Sequence, residues 1–239
     1  VQADRTVFAA SGAAPVPGGG MTITLPYSGL QWSDLWFVLQ GIGNTVLLTV
    51  LAVIFGTLIG LVLGWARQGS KAAALALAPV VDVFRSVPLI IQLILASSFF
   101  AMAGGGSSPL VAGCVVLSLY MGVLTSELVR AGLDAVQPNL RRAGRSLGMT
   151  YWQELRRIAA PLALRAVLPG WIGTVIGLTK DTALVGVVGY VELMRASQIL
   201  VTRTNEALLV LTGAGLFYFL ICYPVSRYGR RLERALGHD

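Results

Sequence analysis

Long uncharged apolar runs dominate the pattern of the chain. Residues 35–66, 32 in all, and residues 86–126, 41 in all, contain no charged side chain. Because a helix crosses the hydrocarbon core in about 20 residues, the first run predicts one membrane span. The second run predicts two, since residues 104–109 read Gly-Gly-Gly-Ser-Ser-Pro, the chemistry of a turn. Two further spans are predicted over residues 160–179 and 207–226.

The second of these five spans also contains charges. It is predicted to begin near Lys71, to include Asp82 and Arg85, and to bend at Pro79 and Pro88. Five crossings would put the two ends of the chain on opposite sides of the membrane.

The distribution of lysine and arginine predicts the orientation of the spans. Eleven of the 18 lie in two loops and the tail on one side, three lie on the other side, and four lie in or beside spans. The eleven are Arg67, Lys71, Arg141, Arg142, Arg145, Arg156, Arg157, Arg227, Arg230, Arg231 and Arg234, and the three are Arg5, Arg195 and Arg203. Because cytoplasmic loops carry the excess of these residues, we expect the N-terminus outside and the C-terminus in the cytoplasm.

Composition supports a membrane protein and offers little for catalysis. The 239 residues are 55% hydrophobic and 12% charged, with a mean hydropathy of +0.74, which is too apolar for an ordinary soluble domain. The single histidine is His238, and Cys114 and Cys222 lie far apart in apolar runs, so no metal site, cofactor or disulfide framework is expected. Neither lysine follows a glycine, as a phosphate-binding P-loop requires. We therefore expect a conduit without catalytic residues rather than an enzyme.

Three regions are expected along the chain. Residues 1–33 begin with a stretch rich in Ala, Gly and Pro that lacks the apolar core of a secretory signal, and they predict a flexible extracytoplasmic extension. Whether Met21 is the first residue stays open. Residues 34–226 are predicted to form the transmembrane domain, and residues 227–239 a basic cytoplasmic tail. Since no repeat of fixed period is visible, symmetry in an assembly is expected to come from a second subunit.

The loop 139–157, between the third and fourth spans, predicts two short helices joined by a tight turn. Asn139 is placed to cap the first helix, and Gly148 to end it in the left-handed conformation. Thr150 and Gln153 have the spacing of a capping box for the second helix. The loop is thus predicted to be a compact unit rather than an irregular connection.

Apolar residues of this loop share faces by their spacing, namely Leu140, Ala143 and Leu147 on the first helix and Trp152, Leu155 and Ile158 on the second. The arginines are expected on the outside, and the pattern favours docking onto another molecule. Two other interpretations are a DNA-binding helix-turn-helix and a plain positively charged loop. Spans end too close on either side for a free DNA-recognition helix, whereas a positively charged loop that contacts anionic lipid would not need the Gly148 turn.

Several separated motifs support a family resemblance. In chain order they are Phe84-Arg85-Ser86-Val87-Pro88-Leu89 with Gln92, Glu127 with Arg130 and Gly132, Arg145-Ser146-Leu147-Gly148-Met149 with Tyr151-Trp152-Gln153, Gly148 with Ile158 and Ala160-Pro161, and Leu178-Thr179-Lys180-Asp181-Thr182-Ala183-Leu184-Val185. Together they resemble the permease subunits of ABC importers, in the polar amino acid branch of the histidine, glutamine and arginine type. The resemblance extends over about residues 30–234.

The resemblance implies a type I ABC importer permease fold, all-α and integral to the bacterial inner membrane, with about five transmembrane helices and a cytoplasmic coupling helix-turn-helix. It implies an amino acid permease that pairs with an identical or paralogous permease, two cytoplasmic ABC ATPase subunits and an extracytoplasmic amino-acid-binding protein. The implied ATPase-coupling residues are Ala143, Gly144, Ser146, Leu147, Gly148, Tyr151 and Trp152. The chain departs from the family signature at Arg142-Ala143-Gly144, where the family has Glu-Ala-Ala, and Arg142 receives no role from it.

Charged and polar residues inside the predicted spans suggest a substrate path. Ionisable groups at such depth are costly and usually face protein or a water-filled path, and the candidates are Arg85, Gln92, Glu127 and Asp181. Alternatively, Asp82 with Arg85 and Glu127 with Arg130 are structural ion pairs three residues apart on one helix face.

A different class of function also stays open from the residues alone. Glu127 or Asp181 could serve as the proton or ion site of a secondary transporter or channel that acts without ATP. The absence of a visible internal repeat and the docking type of loop argue against this alternative.

Overall fold

The computed structural model describes residues 29–103 and 108–236, and all regular structure in these residues is helical. The α-helices of this part of the chain are α1 Trp32–Gly69, α2 Lys71–Ser86, α3 Leu89–Met102, α4 Pro109–Ala135, α5 Pro138–Ser146, α6 Tyr151–Glu154, α7 Ala160–Asp181, α8 Leu193–Thr204 and α9 Ala207–Leu236. The predicted extension, residues 1–33, lies mostly outside the described residues, and α1 begins within its last two positions. Most of the predicted turn at 104–109 is also outside them.

Four helical segments of the described chain are long and apolar enough to cross a membrane, namely Trp32–Gly69, Pro109–Ala135, Tyr151–Val188 and Ala207–Ala235. Helices α2 and α3 together make a fifth candidate, although they are bent by 106° relative to each other. These spans confirm the prediction of an all-α membrane fold with about five crossings.

The predicted second span is sharply bent between α2 and α3. Pro88 precedes the first residue of α3. Val87 is extended, with ψ of 128°, because a residue before proline is pushed away from the helical region. The bend expected at Pro88 is therefore present, whereas Pro79 lies inside α2 without ending it. Helices α2 and α3 therefore point in different directions and do not form one straight span.

Helix α1 packs along α4 through small residues. Gly56, Gly60 and Gly64 lie four residues apart and are buried against α4, so that the two helix backbones approach closely. A Cβ atom on Gly60 would lie 2.7 Å from the carbonyl oxygen of Gly122. The glycine spacing of the first span therefore serves close packing.

Gly60→Ala is expected to push α1 away from α4, because the added methyl group would overlap backbone atoms that cannot move aside. Overpacking of this kind costs about 1–3 kcal/mol, and we expect lower membrane abundance and a lower melting temperature of the purified protein. Gly43→Ala is the matched control, since nothing lies within 4 Å of a Cβ atom at Gly43 on the same helix. Equal melting temperatures for the two variants would contradict close packing at Gly60.

Helices α6 and α7 form one continuous helical segment. A π-helical turn, Leu155–Ala159, joins them, and a 3-10 turn, Thr182–Val188, extends the segment beyond α7. The sequence predicts a second loop helix and a separate span from residue 160, but no break separates the two. Helix α6 and the membrane-spanning helix α7 are therefore one continuous element.

Glu192 holds the short helix α8 in place. Its carboxylate is fully buried and accepts hydrogen bonds from the backbone N–H groups of Met194 and Arg195, at 2.8 and 2.7 Å, and from the Tyr218 hydroxyl at 3.1 Å. Burial raises the pKa of this carboxyl above its usual range, although the hydrogen bonds act in the opposite direction. Because Tyr218 belongs to α9, the carboxylate ties α8 to that helix.

Helix α9 continues well past the predicted end of the fifth span. The sequence predicts a span over residues 207–226 and a tail from residue 227, but the helix runs without a break to Leu236. Arg227, Arg230 and Arg231 therefore lie on its last turns and are exposed there.

Candidate functional site

The loop 139–157 folds into the helix, turn and helix that its sequence predicts. Gly148 has φ of 79°, the left-handed conformation that ends α5. The Thr150 hydroxyl accepts a hydrogen bond from the backbone N–H of Gln153 at 3.4 Å, and the Gln153 side chain accepts one from the Thr150 N–H at 2.9 Å. The turn and the capping box are therefore confirmed.

The predicted start of α5 is wrong. The helix begins at Pro138, with Gln137 rather than Asn139 as its N-cap. Proline suits the first helical position, because its φ is already near the helical value and its missing N–H has no partner to lose there.

Glu154 is the one acidic residue of the loop, and it is fully buried. Its carboxylate pairs with Arg141 at 2.5 Å and with Arg145 at 3.2 Å. The expectation that the arginines of the loop all point outward is therefore wrong for Arg141, whose side chain is only 22% exposed. A buried carboxylate must be paired or hydrogen-bonded, and these two arginines draw α5 onto the end of α6.

An open groove of about 510 Å³ lies between α5 and the beginning of α7. Its lining includes the predicted apolar face Leu140, Ala143 and Leu147, together with Gly144, Ile158 and Pro161. A Cβ atom on Gly144 would lie 2.7 Å from Cδ1 of Ile158, so glycine allows α5 to approach the π-helical turn. Leu147 is 81% exposed beside the Gly148 turn.

Aromatic contacts join the loop to the first span. The ring centroid of Trp152 lies 5.4 Å from that of Trp65 near the end of α1, and Tyr151 meets Trp152 edge-on at 5.6 Å. The hydroxyl of Ser146, which is exposed, donates to the carbonyl oxygen of Arg142 at 3.1 Å. All seven residues predicted for ATPase coupling thus lie on this small unit or its turn.

Glu127 pairs with Arg67 and Arg85 rather than with Arg130, the partner suggested by sequence spacing. Its carboxylate lies 2.5 Å from Arg67 of α1 and 3.5 Å from Arg85 of α2, whereas Arg130 pairs with Asp134 at 3.9 Å. Residues 127 and 130 therefore do not pair, because the almost fully buried Arg67, 5% exposed, competes for the same carboxylate. The contact joins three helices.

Of the two remaining path candidates, Gln92 of α3 contacts the end of α2 and Asp181 lies at a different depth, at the end of α7. The Gln92 amide donates to the backbone oxygens of Phe84 and Val87, at 2.9 and 2.8 Å, and so holds the end of α2 at the bend. Asp181 is half-buried at the last residue of α7, about 30 Å along that helix from its start. Glu127 lies only about 12 Å before the end of α4, so the four candidates do not form one site.

Sequence reasoning missed two structural roles. The sequence could have indicated an ion pair of Glu154, since it is the single acid among five arginines of one loop. No local pattern indicates the role of Arg67, because its partner Glu127 is 60 residues away in sequence and only the packing of α1 against α4 brings them together.

Comparisons with known proteins agree on one family. Residues 56–238 match the family of binding-protein-dependent transport system inner membrane components. The glutamine transport system permease protein GlnP of Escherichia coli (strain K12) is 31% identical over 213 residues, which cover 86% of this chain and 97% of that protein. The L-cystine transport system permease protein TcyB of Bacillus subtilis (strain 168) is 31% identical over 225 residues, which cover 92% and 95%.

Solved structures have the same fold. A crystal structure of an amino acid ABC transporter with histidines has a TM-score of 0.78 and 28% identity, covering 87% of this chain and all of that one. An inward-facing structure of the MetNI methionine ABC transporter has a TM-score of 0.74 and 25% identity, covering 87% and 99%. The type I ABC importer permease fold expected from the motifs is therefore confirmed. The chain belongs to the family of binding-protein-dependent transport system inner membrane components, multi-pass proteins of the inner membrane.

Proposed function

We propose that the chain is the permease subunit of an ATP-driven importer of amino acids. The relatives named for glutamine and cystine transport support an amino acid as the cargo. The observation that carries the proposal is the loop 139–157, a compact unit that is continuous with a membrane-spanning helix. The chain itself catalyses nothing covalent, and two ATPase subunits on the cytoplasmic side supply ATP hydrolysis.

Coupling proceeds through the continuous segment from Tyr151 to Val188. Closure of the ATPase subunits displaces α5 and α6, which move together because Glu154 holds both. The displacement passes through the π-helical turn into α7, and the contact of Trp152 with Trp65 extends it to α1. The spans then change between outward and inward access as packed rigid elements.

The substrate path lies between this chain and a second permease subunit, identical or paralogous, and an extracytoplasmic binding protein delivers the amino acid. Arg85, half-exposed, offers a guanidinium to a substrate carboxylate, and Asp181, at a different depth of the path, offers an anionic partner to a substrate ammonium group. Glu127 and Gln92 support this path by positioning Arg85 and the end of α2.

The orientation follows from the distribution of arginine and lysine, with the loop 139–157 and the C-terminus in the cytoplasm. We expect a cysteine replacing Ser107 to react with an impermeant thiol reagent in intact cells. A cysteine replacing Ser146 is expected to react only after permeabilisation. Both variants are made in a background with Cys114→Ala and Cys222→Ala, and the opposite labelling pattern would reverse the orientation.

Gly148→Val is expected to impair both transport and the ATPase activity of the complex without preventing insertion of the protein. A valine at positive φ costs about 1–2 kcal/mol, which the chain can avoid only by moving α5 relative to α6. The spans are untouched, so membrane abundance is expected to hold while uptake and substrate-stimulated ATPase activity fall together. Gly69→Val is the matched control, since nothing lies within 4 Å of a Cβ atom at Gly69 and its φ is not positive. Normal uptake by Gly148→Val would exclude the turn from coupling.

The proposed function is tested by reconstitution of the whole complex. The chain is co-purified with its second permease and ATPase subunits, placed in proteoliposomes and supplied with the binding protein. We expect uptake of labelled glutamine, cystine, glutamate or arginine that requires ATP and is lost when the ATPase is inactivated by mutation. Uptake driven by an ion gradient without ATP would overturn the proposal and favour a secondary transporter.

A further inference from the structure

The exposed charge of the loop 139–157 is of one sign. Its charged residues are Arg141, Arg142, Arg145, Arg156, Arg157 and Glu154. Because Glu154 is fully buried between Arg141 and Arg145, no carboxylate of this described loop reaches its surface. The loop therefore presents a cationic surface despite containing an acid.

Arg142 lies near the middle of the exposed face of α5. It is about 160° around the helix from Gly144, which is buried against Ile158. The Arg142 side chain is exposed, and the ion pairs of Glu154 use Arg141 and Arg145 instead. Its guanidinium is thus directed away from the protein.

The cationic face borders an apolar one. Leu140 is 45% exposed and Leu147 is 81% exposed, and both line the groove in which Arg157 also lies. A partner that covers these leucines must also desolvate the neighbouring guanidinium groups. Burying a cation without an anion is strongly unfavourable, and arginine is well suited to bidentate pairing with carboxylates.

We propose that this face docks into a groove on the ATPase subunit that has an apolar floor and an acidic rim. The inference rests on the proposed function and specifies the charge of the partner. Arg142, which stands where the family signature has a glutamate, meets a carboxylate of the ATPase.

Association between the complete permease assembly, in nanodiscs of phosphatidylcholine, and its ATPase subunit tests this inference. We expect the dissociation constant to rise severalfold between 50 and 300 mM NaCl, because the pairing is electrostatic. Arg142→Glu is expected to weaken binding by roughly tenfold or more and Arg142→Gln by less, since reversal adds repulsion to the lost pair. Arg230→Glu, at an exposed arginine on α9, is the matched control and should bind normally.

The possible outcomes test the acidic rim of the groove and the proposed function independently. Tight binding that is insensitive to salt and to Arg142→Glu would overturn the acidic rim while leaving ATPase docking intact. If none of the forms bound the ATPase, the proposed function itself would fail. If Arg142→Glu altered uptake only when phosphatidylglycerol replaced phosphatidylcholine, with association unchanged, the arginines would contact lipid and the inference would be wrong. Hydrogen exchange at α5 must match the wild type, which excludes unfolding as the cause.

Discussion

Glu154→Gln is expected to release α5 from α6 and to abolish most coupled transport. The substitution keeps the size of the side chain but removes the charge that Arg141 and Arg145 share. Removing one partner of a buried ion pair costs about 3–5 kcal/mol. We expect about 3 kcal/mol, roughly a hundredfold in the local equilibrium, because Arg145 is 59% exposed and retains hydration.

The loss of the Glu154 ion pairs is measured by hydrogen exchange of the loop and by transport assays. Hydrogen exchange of residues 138–148 should accelerate strongly in Glu154→Gln, while uptake and substrate-stimulated ATPase activity fall and membrane abundance changes little. Glu233→Gln, at an exposed glutamate on α9, is the control for loss of a single negative charge. Wild-type exchange together with wild-type uptake would show that the double ion pair does not hold the loop.

The loop was predictable where its signals are local. Gly148 and the pair Thr150 and Gln153 act through hydrogen bonds and dihedral angles within a few residues, so their positions in the sequence determine the turn and the cap. Asn139 was misplaced by the same kind of reasoning, because Pro138 competes for the start of the helix more effectively. The burial of Glu154 depends on how α5 and α6 pack, which no single helix specifies.

The number of spans was predictable, but their directions were not. The length of the uncharged runs determines how many helices can cross the membrane. Three of the four long spans begin or end within a few residues of the expected positions, whereas Tyr151–Val188 extends nine residues beyond the expected span at each end. The position of the bend between α2 and α3 was predictable from Pro88, but its angle of 106° was not. The Gln92 amide holds the end of α2 locally, whereas Glu127, distant in sequence, holds Arg85 beside α4.

Glu127→Gln is expected to lower the stability and abundance of the protein through the loss of a three-helix ion cluster. Arg67 is 5% exposed and lies 2.5 Å from the Glu127 carboxylate, so it would be left as a buried charge without an anionic partner. Breaking such a pair costs about 3–5 kcal/mol. Thermal unfolding of the purified protein and quantification of membrane abundance both measure the effect.

The pattern across three variants decides between a structural and a substrate-path role for Glu127. Arg67→Gln should lower abundance as Glu127→Gln does, because the two side chains depend on each other. Arg130→Gln should change stability by less than about 1 kcal/mol, since its pair with Asp134 is at the surface, with side chains 46% and 57% exposed. A Glu127→Gln protein with normal abundance but altered preference among basic, neutral and acidic amino acids would instead assign Glu127 to substrate contact. The cluster then could not be what holds α1, α2 and α4 together, because its central charge would be dispensable for folding.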